Sequence, residues 1–248
     1  MTLEQFFAEN REVAIAFSGG VDSAYLLYAA TRYAARVKAY YVSTAFQPEF
    51  ELADARRLAA DVGADMQVLH VDVLMSGAVV ANPPDRCYHC KNTLFRQILR
   101  AAENDGFPVL LDGTNASDDA GDRPGMRALR ELSVRSPLRE CGLTKAEIRR
   151  LSREAGLFTW DKPAYACLAT RIRTGEEITL QKLKQTEKAE GFLFGLGFRD
   201  FRVRMVDNTA KLELRETDLP LLLENREKIV TELRKDYDSV LLNLEVRK

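Results

Sequence analysis

This sequence has almost no net charge. Its 36 Lys and Arg residues are matched by 37 Asp and Glu residues, which gives a net charge of −1. A chain-wide field that would attract nucleic acid is therefore not expected, although a local basic pocket can still exist. The sequence also has no run of about 18 apolar residues, so we expect no membrane span.

A secretion signal and an abundance of cysteine are missing as well. The opening residues, MTLEQFFAENREV, have neither the basic start nor the apolar stretch of a secretion signal. We therefore expect a cytoplasmic protein whose four cysteines lie in a reducing compartment. In that setting the Cys-x-x-Cys spacing of Cys87 and Cys90 indicates metal or redox chemistry more than a structural disulfide.

The first half of the chain alternates short apolar runs with amphipathic stretches, as strands and helices do. The predicted strands cover residues 13–17, 37–43, 66–71 and 109–111, and the predicted helices cover 23–35, 49–61 and 91–104. This order predicts an α/β fold with a parallel sheet that carries helices on both faces. Ligands of such sheets bind beyond the carboxyl ends of the strands.

The second half of the chain has a different predicted order of loops, helices and strands. Residues 113–137 are rich in glycine and proline and are predicted to be loop, and Thr144 with Glu147 forms a capping-box pattern at the start of a helix over 144–155. From residues 172–177 onward we predict a helix, a strand pair, a helix and a strand, at 179–190, 201–206, 211–214, 219–236 and 239–246. We expect a first domain over 1–174 and a small α+β domain over 175–248.

The segment FSGGVDS, residues 17–23, lies between a predicted strand and a predicted helix. Glycine-rich loops in this position bind phosphates, because their N–H groups and the helix N-terminus attract anions. The segment has neither the lysine of a Walker A motif nor the three glycines of a dinucleotide fingerprint. It is similar to SGGxDS, the pyrophosphate loop of enzymes that cleave ATP between the α and β phosphates.

We expect this loop to contact both a metal ion and the nucleotide, together with residues from elsewhere in the chain. Asp22 needs a cation or a hydrogen bond beside phosphates, and Mg²⁺ fits that need. The candidate nucleotide-binding residues are Ser18, Gly19, Gly20, Asp22, Ser23, Thr44 and Gly113.

The cysteines leave several interpretations open. Cys87, Cys90 and the distant Cys167 could hold three irons of a 4Fe–4S cluster and leave one iron without a protein ligand. With His89 they could instead form a Cys₃His zinc site, although a histidine inside Cys-x-x-Cys tends to point away from the metal. One thiolate could act alone as a nucleophile or sulfur donor, or the cysteines could be buried apolar residues. Cys141 lies outside both motifs.

Charged residues near the loops are further candidates. The segment 112–127 follows a predicted strand and therefore belongs to the ligand end of the sheet. Its candidate Mg²⁺ or ribose contacts are Asp118, Asp119 and Asp122. The candidate phosphate contacts are Arg123, Arg127 and Arg171. Arg202 and Arg204 alternate along a predicted strand, which places both on one face, where they could bind a phosphate or a carboxylate.

Several motifs in order, from about residue 13 to 205, resemble one family: SGGVDS, RCYHCK, DGTNASDDAGDRPGMRA, SPLRECGLTKAEIRRLS, TWDKPAYACLATRI and FRVR. They closely resemble the LarE family of ATP-dependent sulfur transferases, which build the nickel-pincer nucleotide cofactor. The resemblance implies a Rossmann-like pyrophosphate-loop domain of the adenine nucleotide alpha hydrolase type, followed by a smaller substrate domain. It also implies rings of six chains built from trimers.

The resemblance further implies a reaction. Mg·ATP adenylates a carboxylate of pyridinium-3,5-biscarboxylate mononucleotide, and sulfur then displaces AMP to leave a thiocarboxylate. In some members a single cysteine, at the position of Cys167, gives up its own sulfur. Because this chain has Cys87 and Cys90 as well as Cys167, it resembles a subgroup of the family that carries a 4Fe–4S cluster. Such a cluster needs a source of sulfide to replace the sulfur that it transfers. The implied substrate residues are Arg171, Glu190, Arg202 and Arg204.

Other functions remain to be distinguished. Transfer RNA thiolases of the same superfamily use similar cysteines, but the near-neutral charge and the lack of an evident RNA-binding module make nucleic acid an improbable partner. A nucleotide-binding sensor that has kept the loop is a further alternative without enzymatic activity.

Overall fold

A computed structural model describes residues 1–118 and 124–247, and it divides the chain into two compact units. The first unit comprises Met1–Thr44, Glu49–Val73 and Asp85–Ala164. The second comprises Ala45–Pro48, Leu74–Pro84 and the chain from Tyr165 onward. The units therefore divide the chain after Ala164, earlier than the boundary at residue 174 that the sequence predicts. The two domains as functional entities stay a prediction.

A four-stranded parallel sheet forms the centre of the first unit, in the described residues, with the strand order β3-β2-β1-β4. Its strands are β1 (Glu12–Ala16), β2 (Arg36–Ser43), β3 (Asp65–His70) and β4 (Val109–Leu111). Val13 pairs with Val37 on one side and with Val109 on the other, so β1 has a parallel neighbour on each side. The predicted α/β fold with a parallel sheet is confirmed.

The helices of this unit cover both faces of the sheet. They are α1 (Leu3–Glu9), α2 (Val21–Tyr33), α3 (Glu49–Asp61), α5 (Arg86–Asn104), α6 (Pro124–Glu131), α7 (Pro137–Glu140) and α8 (Lys145–Glu154). On β1, Ile15 packs into a core that includes α2, whereas its neighbour Ala14 packs into a core that includes Ile98 of α5. Adjacent residues of a strand point to opposite faces, which explains why β1 is buried on both.

The second unit contains a three-stranded sheet, in its described residues, with the order β5-β6-β7. The elements that the structure describes here are α4 (Gly77–Val80), α9 (Leu180–Gly195), β5 (Arg202–Val206), β6 (Thr209–Glu213), α10 (Leu219–Leu233) and β7 (Ser239–Leu242). β5 and β6 are antiparallel, as predicted, and β7 runs parallel to β6. Val203 and Leu212 pack against α9 and α10 in a separate core.

Two predictions about secondary structure are wrong. The helix that carries the cysteine pair begins at Arg86 and not at residue 91, so Cys87 and Cys90 lie in the first turns of α5. The region 113–137, predicted to be loop, contains α6 and the start of α7. Each of these two helices begins with a proline, which the first turn of a helix tolerates because its N–H groups need no partner within the helix.

None of the helices that the structure describes has the combination of length and apolar character that crossing a bilayer requires.

Candidate active site

The loop between β1 and α2 folds back on its own hydroxyl groups. Ser18 Oγ and Ser23 Oγ are 3.0 Å apart, and Ser23 Oγ donates to the carbonyl of Gly20 over 3.1 Å. Gly19 has a φ of +72°, and a Cβ there would come within 3.2 Å of the Cβ of Ala55 on α3. Glycine is therefore needed at position 19 for its backbone conformation and for the close approach of α3.

A cavity of about 330 Å³ opens beside this loop, where the chain leaves the carboxyl ends of β1 and β4. It is lined by Ala16, Ser18, Gly20, Asp22, Ser23, Lys91, Phe95, Asp112, Gly113, Thr114 and Asp118. Five predicted nucleotide-binding residues are in this set. Gly19 packs against α3 instead, and Thr44, just after β2, is not among the described lining residues.

Asp22 contributes to the wall of this cavity a carboxylate oxygen without a hydrogen-bond partner among the described residues. Its Oδ2 accepts a hydrogen bond from Lys145 Nζ at 2.5 Å, whereas its buried Oδ1 has no hydrogen-bond partner. Burial raises the pKa of the Asp22 carboxyl above its usual 3.8, and Lys145 offsets part of that rise. A buried carboxylate oxygen without a partner fits the hard, oxygen-seeking character of Mg²⁺.

The wall opposite the loop is held by a short hydrogen-bond network. Asp112 Oδ1 accepts from Ser136 Oγ at 2.6 Å, and Asp112 Oδ2 accepts from Thr114 Oγ1 at 2.5 Å. Asp118, predicted as a Mg²⁺ or ribose contact, lines the cavity and accepts from the backbone N–H of Asn115 at 2.8 Å. These bonds fix the position of the carboxylates before any ligand binds.

Of the other candidates in segment 112–127, Arg127 is not among the described residues that line the cavity. Asp119, Asp122 and Arg123 lie outside the described residues. Arg127, predicted to contact phosphate, stacks over the ring of Tyr88 at 4.1 Å and lies 3.8 Å from Glu131. Its role in phosphate binding stays a prediction.

Gly113, two residues after β4, packs closely against the backbone of the pyrophosphate loop at Ser23. A Cβ on Gly113 would lie 2.9 Å from the backbone nitrogen of Ser23, which is closer than a side chain can come. We expect Gly113→Ala to push this wall away from the loop and to lower kcat/KM for ATP by roughly 10²-fold, as a displacement of about 1 Å at an active site can.

The matched control is Gly191→Ala in α9, where a Cβ meets nothing within 4 Å. Because glycine weakens a helix interior, this variant should be more stable by about 0.5–1 kcal/mol with unchanged kinetics. Steady-state kinetics with varied ATP compare the two. Wild-type kinetics of Gly113→Ala would show that this contact does not shape the ATP site.

Helix α5 carries both the cysteine pair and part of the cavity wall. Cys87, Lys91 and Phe95 are spaced four residues apart and therefore lie along one side of the helix. Lys91 and Phe95 line the cavity, so Cys87 lies one turn further along the same side. The exposed Cys87 has the Nη2 atom of Arg86 at 3.8 Å from its sulfur, which places a positive charge beside it.

The thiol pair offers two of the ligands that a metal site would need. Cys90, three residues after Cys87 in α5, is half-buried. His89 Nε2 lies 3.4 Å from Asp85 Oδ2. The imidazole is thus turned toward a carboxylate, which weakens the zinc interpretation that uses it. Nowhere in the described residues do three His, Cys, Asp or Glu side chains form a group that could hold a metal ion.

Cys167 belongs to the second unit, where it precedes a short 3₁₀-helix over Leu168–Arg171. Its carbonyl oxygen accepts hydrogen bonds from the backbone N–H of Thr170 at 2.9 Å and from Thr170 Oγ1 at 2.8 Å. Arg171 Nη1 also reaches this carbonyl, at 3.3 Å. The backbone at Cys167 is therefore held firmly, while its half-buried thiol takes no part in these three bonds.

Arg171 and Glu190, predicted to bind substrate, form a buried ion pair. Both residues are 1% exposed, and the guanidinium donates from Nε and Nη2 to the two carboxylate oxygens at 2.8 Å and 2.9 Å. Glu190 also accepts from the backbone N–H of Val203 at 2.9 Å and from the hydroxyl of Tyr165. The pair ties the Cys167 segment to α9 and β5, and its contact with substrate stays a prediction.

Arg202 and Arg204, predicted to share a face, have different surroundings. The guanidinium of Arg202 lies 5.4 Å from the centre of the Tyr165 ring, and that of Arg171 lies 4.6 Å from it. Burial and the charge of Arg171 lower the pKa of Arg202. Arg204 binds Glu213 at 2.8 Å and the carbonyl of Thr170 at 2.6 Å. Arg171 is already paired with Glu190 and Arg204 with Glu213. The binding of a phosphate or a carboxylate by Arg202 and Arg204 therefore stays a prediction.

Comparison with known proteins gives this geometry its context. The family model described as asparagine synthase matches residues 4–118, which include the pyrophosphate loop and Asp112. Pyridinium-3,5-bisthiocarboxylic acid mononucleotide synthase of Lactiplantibacillus plantarum is 33% identical over 87% of this chain and 79% of its own. This chain belongs to the LarE family, the family of that synthase. The predicted family membership is confirmed.

Two further relatives extend the comparison. An uncharacterised protein of Synechocystis sp. is 39% identical over 86% of this LarE-family chain and 80% of its own length. The tRNA-specific 2-thiouridylase of Thermotoga petrophila is 25% identical over 59% of this chain and 52% of its own length. As a LarE-family member with a pyrophosphate loop, the chain is an ATP-using enzyme.

Sequence reasoning about this family member missed part of the ATP cavity. Lys91 and Phe95 lie four residues apart in the predicted helix over 91–104, but helical spacing alone does not show that this side of α5 faces the cavity. The sequence predicts Lys145 only as part of a capped helix. No sequence motif links it to Asp22, which lies 123 residues earlier. The positions of Asp112 and Thr114 just after β4 do indicate a place at the ligand end of the sheet.

Proposed function

We propose that this enzyme is a sulfur transferase that adenylates a carboxylate of pyridinium-3,5-biscarboxylate mononucleotide and replaces the AMP with sulfur. Two observations support the proposal: the relative from Lactiplantibacillus plantarum, whose name describes the corresponding bisthiocarboxylic product, and a cavity at the pyrophosphate loop with an unsatisfied carboxylate oxygen. A carboxylate is a poor acyl donor, so the role of ATP is to supply a good leaving group.

In the first step, a carboxylate oxygen of the substrate attacks the α-phosphorus of ATP. The bond from this phosphorus to the oxygen that bridges to the β-phosphorus breaks, and pyrophosphate leaves with the electron pair. The N–H groups of the loop and the hydroxyls of Ser18 and Ser23 would hold the phosphates, with Lys91 opposite. Asp22 would hold Mg²⁺, which when bound offsets the charge of the phosphates.

In the second step, a sulfur nucleophile attacks the acyl carbon of the adenylate. The bond from this carbon to the phosphate oxygen breaks, AMP leaves with the electron pair, and a thiocarboxylate remains. Cys167 is the proposed sulfur-handling residue in the second unit, where Arg171 Nη1 donates to its carbonyl oxygen. Cys87 lies on the cavity side of α5 in the first unit, so both units carry thiols beside candidate binding residues.

The sulfur is proposed to come from a 4Fe–4S cluster with Cys87, Cys90 and Cys167 as ligands. Such a cluster, when bound, has one iron without a protein ligand, which can carry a sulfide. The alternative is a sacrificial Cys167, whose thiolate would displace AMP to form a thioester. Loss of the Cα proton and cleavage of the Cβ–Sγ bond, with the electron pair leaving on sulfur, would then give the thiocarboxylate and dehydroalanine. Mass spectrometry of Cys167 after one turnover separates the two, because only the second loses the elements of H₂S from this residue.

The cluster is tested by anaerobic reconstitution followed by iron and sulfide analysis. We expect about four irons and four sulfides per chain for wild type and for Cys141→Ala, because Cys141 lies outside the proposed ligand set. Cys87→Ala should lose most of this iron. A colourless wild-type protein that still forms thiocarboxylate would remove the cluster from the proposal and leave the sulfur transferase.

Thiolation of tRNA is a second candidate, because the tRNA-specific 2-thiouridylases match over 59% of this chain. The net charge of −1 does not favour a polyanionic partner. Incubation with ATP, sulfide and bulk tRNA tests it: thiouridine in the recovered tRNA would support this second function, and its absence alongside pyrophosphate release with the mononucleotide would support the first.

A further inference from the structure

The ammonium group of Lys145 occupies the position at Asp22 where a bound cation would be expected. It lies 2.5 Å from Asp22 Oδ2, and the two side chains are 33% and 22% exposed. Asp118 and Arg149 also act on the Asp22 carboxyl through their charges, with opposite signs. Lys145 is thus the only residue in the described part of the chain that forms an ion pair with Asp22.

The backbone of Lys145 is fixed at the rim of the cavity. Its N–H donates to Ser117 Oγ at 3.0 Å, and the preceding Leu143 accepts from the N–H of Ala116 at 2.8 Å. Thr144 and Glu147 form the capping box that begins α8 at this point. The first residue of α8 is therefore joined to the segment that includes Asp118, and its side chain is 33% exposed.

We propose that Lys145 is a further catalytic residue, which neutralises Asp22 in the empty enzyme, yields it to Mg²⁺ when Mg·ATP binds, and then contacts the phosphates. The inference rests on the proposed function, because it assigns Lys145 to the adenylation step. It also accounts for a loop that lacks the lysine of a Walker A motif: the positive charge comes from the start of α8 instead.

The adenylation step requires a positive charge near the phosphates. As the bond between the α-phosphorus and its bridging oxygen breaks, negative charge moves onto the leaving pyrophosphate. The ammonium group of Lys145 is bonded to Asp22, whose side chain lines the cavity, so its release would leave a positive charge beside the cavity wall. There it would stabilise the leaving group mainly in the transition state. The carboxylate substrate and ATP are the only reactants that the step needs.

The proposal predicts opposite effects of one substitution on two measurements. Lys145→Met removes the competitor for Asp22, so Mn²⁺, a spectroscopic substitute for Mg²⁺, should bind the nucleotide-free protein about tenfold more tightly. Pyrophosphate release with saturating Mg·ATP and substrate should fall by roughly 10²-fold in kcat. Lys145→Arg keeps the charge and should restore part of both properties.

The experiment combines electron paramagnetic resonance titration of Mn²⁺ with pyrophosphate release and thermal unfolding. Lys184→Met, on the outer part of α9, is the matched control and should behave as wild type in all three. A merely structural lysine would lower the unfolding temperature without tightening Mn²⁺ binding. Unchanged or weaker Mn²⁺ binding in Lys145→Met would overturn the proposal.

The outcome for wild type separates this inference from the proposed function. If wild type releases pyrophosphate only with the carboxylate substrate while Lys145→Met does the same at the wild-type rate, the proposed function holds and the role of Lys145 fails. If wild type shows no substrate-dependent release, the proposed function itself fails.

Discussion

Cys167→Ala is expected to abolish thiocarboxylate formation while the first turnover of pyrophosphate release continues near the wild-type rate. The proposed sulfur transfer needs this sulfur atom, whether Cys167 is a cluster ligand or the donor, so product formation should fall by roughly 10³-fold or more. The predicted nucleotide-binding residues all lie in the first unit, so we expect adenylation to proceed without the thiol. Quenched-flow measurement of pyrophosphate and mass spectrometry of the product follow the two steps separately.

The fold should survive this substitution, because the hydrogen bonds that hold position 167 use the backbone carbonyl, which alanine keeps. Cys141→Ala is the matched control: Cys141 is half-buried in the first unit, and it should leave both steps unchanged. Normal thiocarboxylate production by Cys167→Ala over many turnovers would show that this cysteine does not handle sulfur.

Asp22→Asn is expected to reduce pyrophosphate release by roughly 10²- to 10³-fold. Asparagine has nearly the same shape, but it lacks the charge with which the unsatisfied Oδ1 would bind Mg²⁺. Mn²⁺ affinity in the absence of nucleotide should fall as well. Pyrophosphate assays and Mn²⁺ titration measure the two effects.

The same substitution should not destabilise the protein at pH 7. Burial raises the pKa of Asp22 in the folded state, so the folded state holds its proton more tightly than the unfolded state, and this stability is lost as pH rises through the folded pKa. At pH 7 the ionised carboxyl therefore lowers stability, and a neutral asparagine removes that cost.

The control for Asp22→Asn is Asp65→Asn. Asp65 begins β3, at the end of the sheet away from the cavity, and its side chain is 71% exposed. It should keep wild-type activity and metal affinity. If Asp22→Asn retains wild-type pyrophosphate release, the assignment of Asp22 to the metal is wrong.

The sheet and the phosphate loop could be predicted because local pattern determines them. Val13 to Phe17 is an apolar run that is buried on both faces, and the glycines that follow have no reason to lie there unless the backbone must bend and approach a ligand. The alternation of strands and helices further predicts that the strands run parallel, and the pairing of β1 with both β2 and β4 is parallel.

Contacts between distant residues could not be predicted in the same way. Lys145 and Asp22 meet because α8 starts beside the segment after β4, which depends on tertiary packing. Arg202 and Arg204 alternate as expected in a strand, but alternation does not reveal that Arg204 binds Glu213 of β6. α6 and α7 could not be predicted from the prolines at their starts, because proline both interrupts helices and occupies their first turn.

The most direct test of the central claim is one quenched reaction of wild-type enzyme with Mg·ATP, a sulfide source and pyridinium-3,5-biscarboxylate mononucleotide. Mass spectrometry of the mononucleotide, with pyrophosphate measured in the same sample, reports both proposed steps. The account predicts that each mole of thiocarboxylate, seen as exchange of one oxygen for sulfur, is accompanied by one mole each of AMP and pyrophosphate. Release of ADP and phosphate, or thiocarboxylate formed without pyrophosphate, would contradict it.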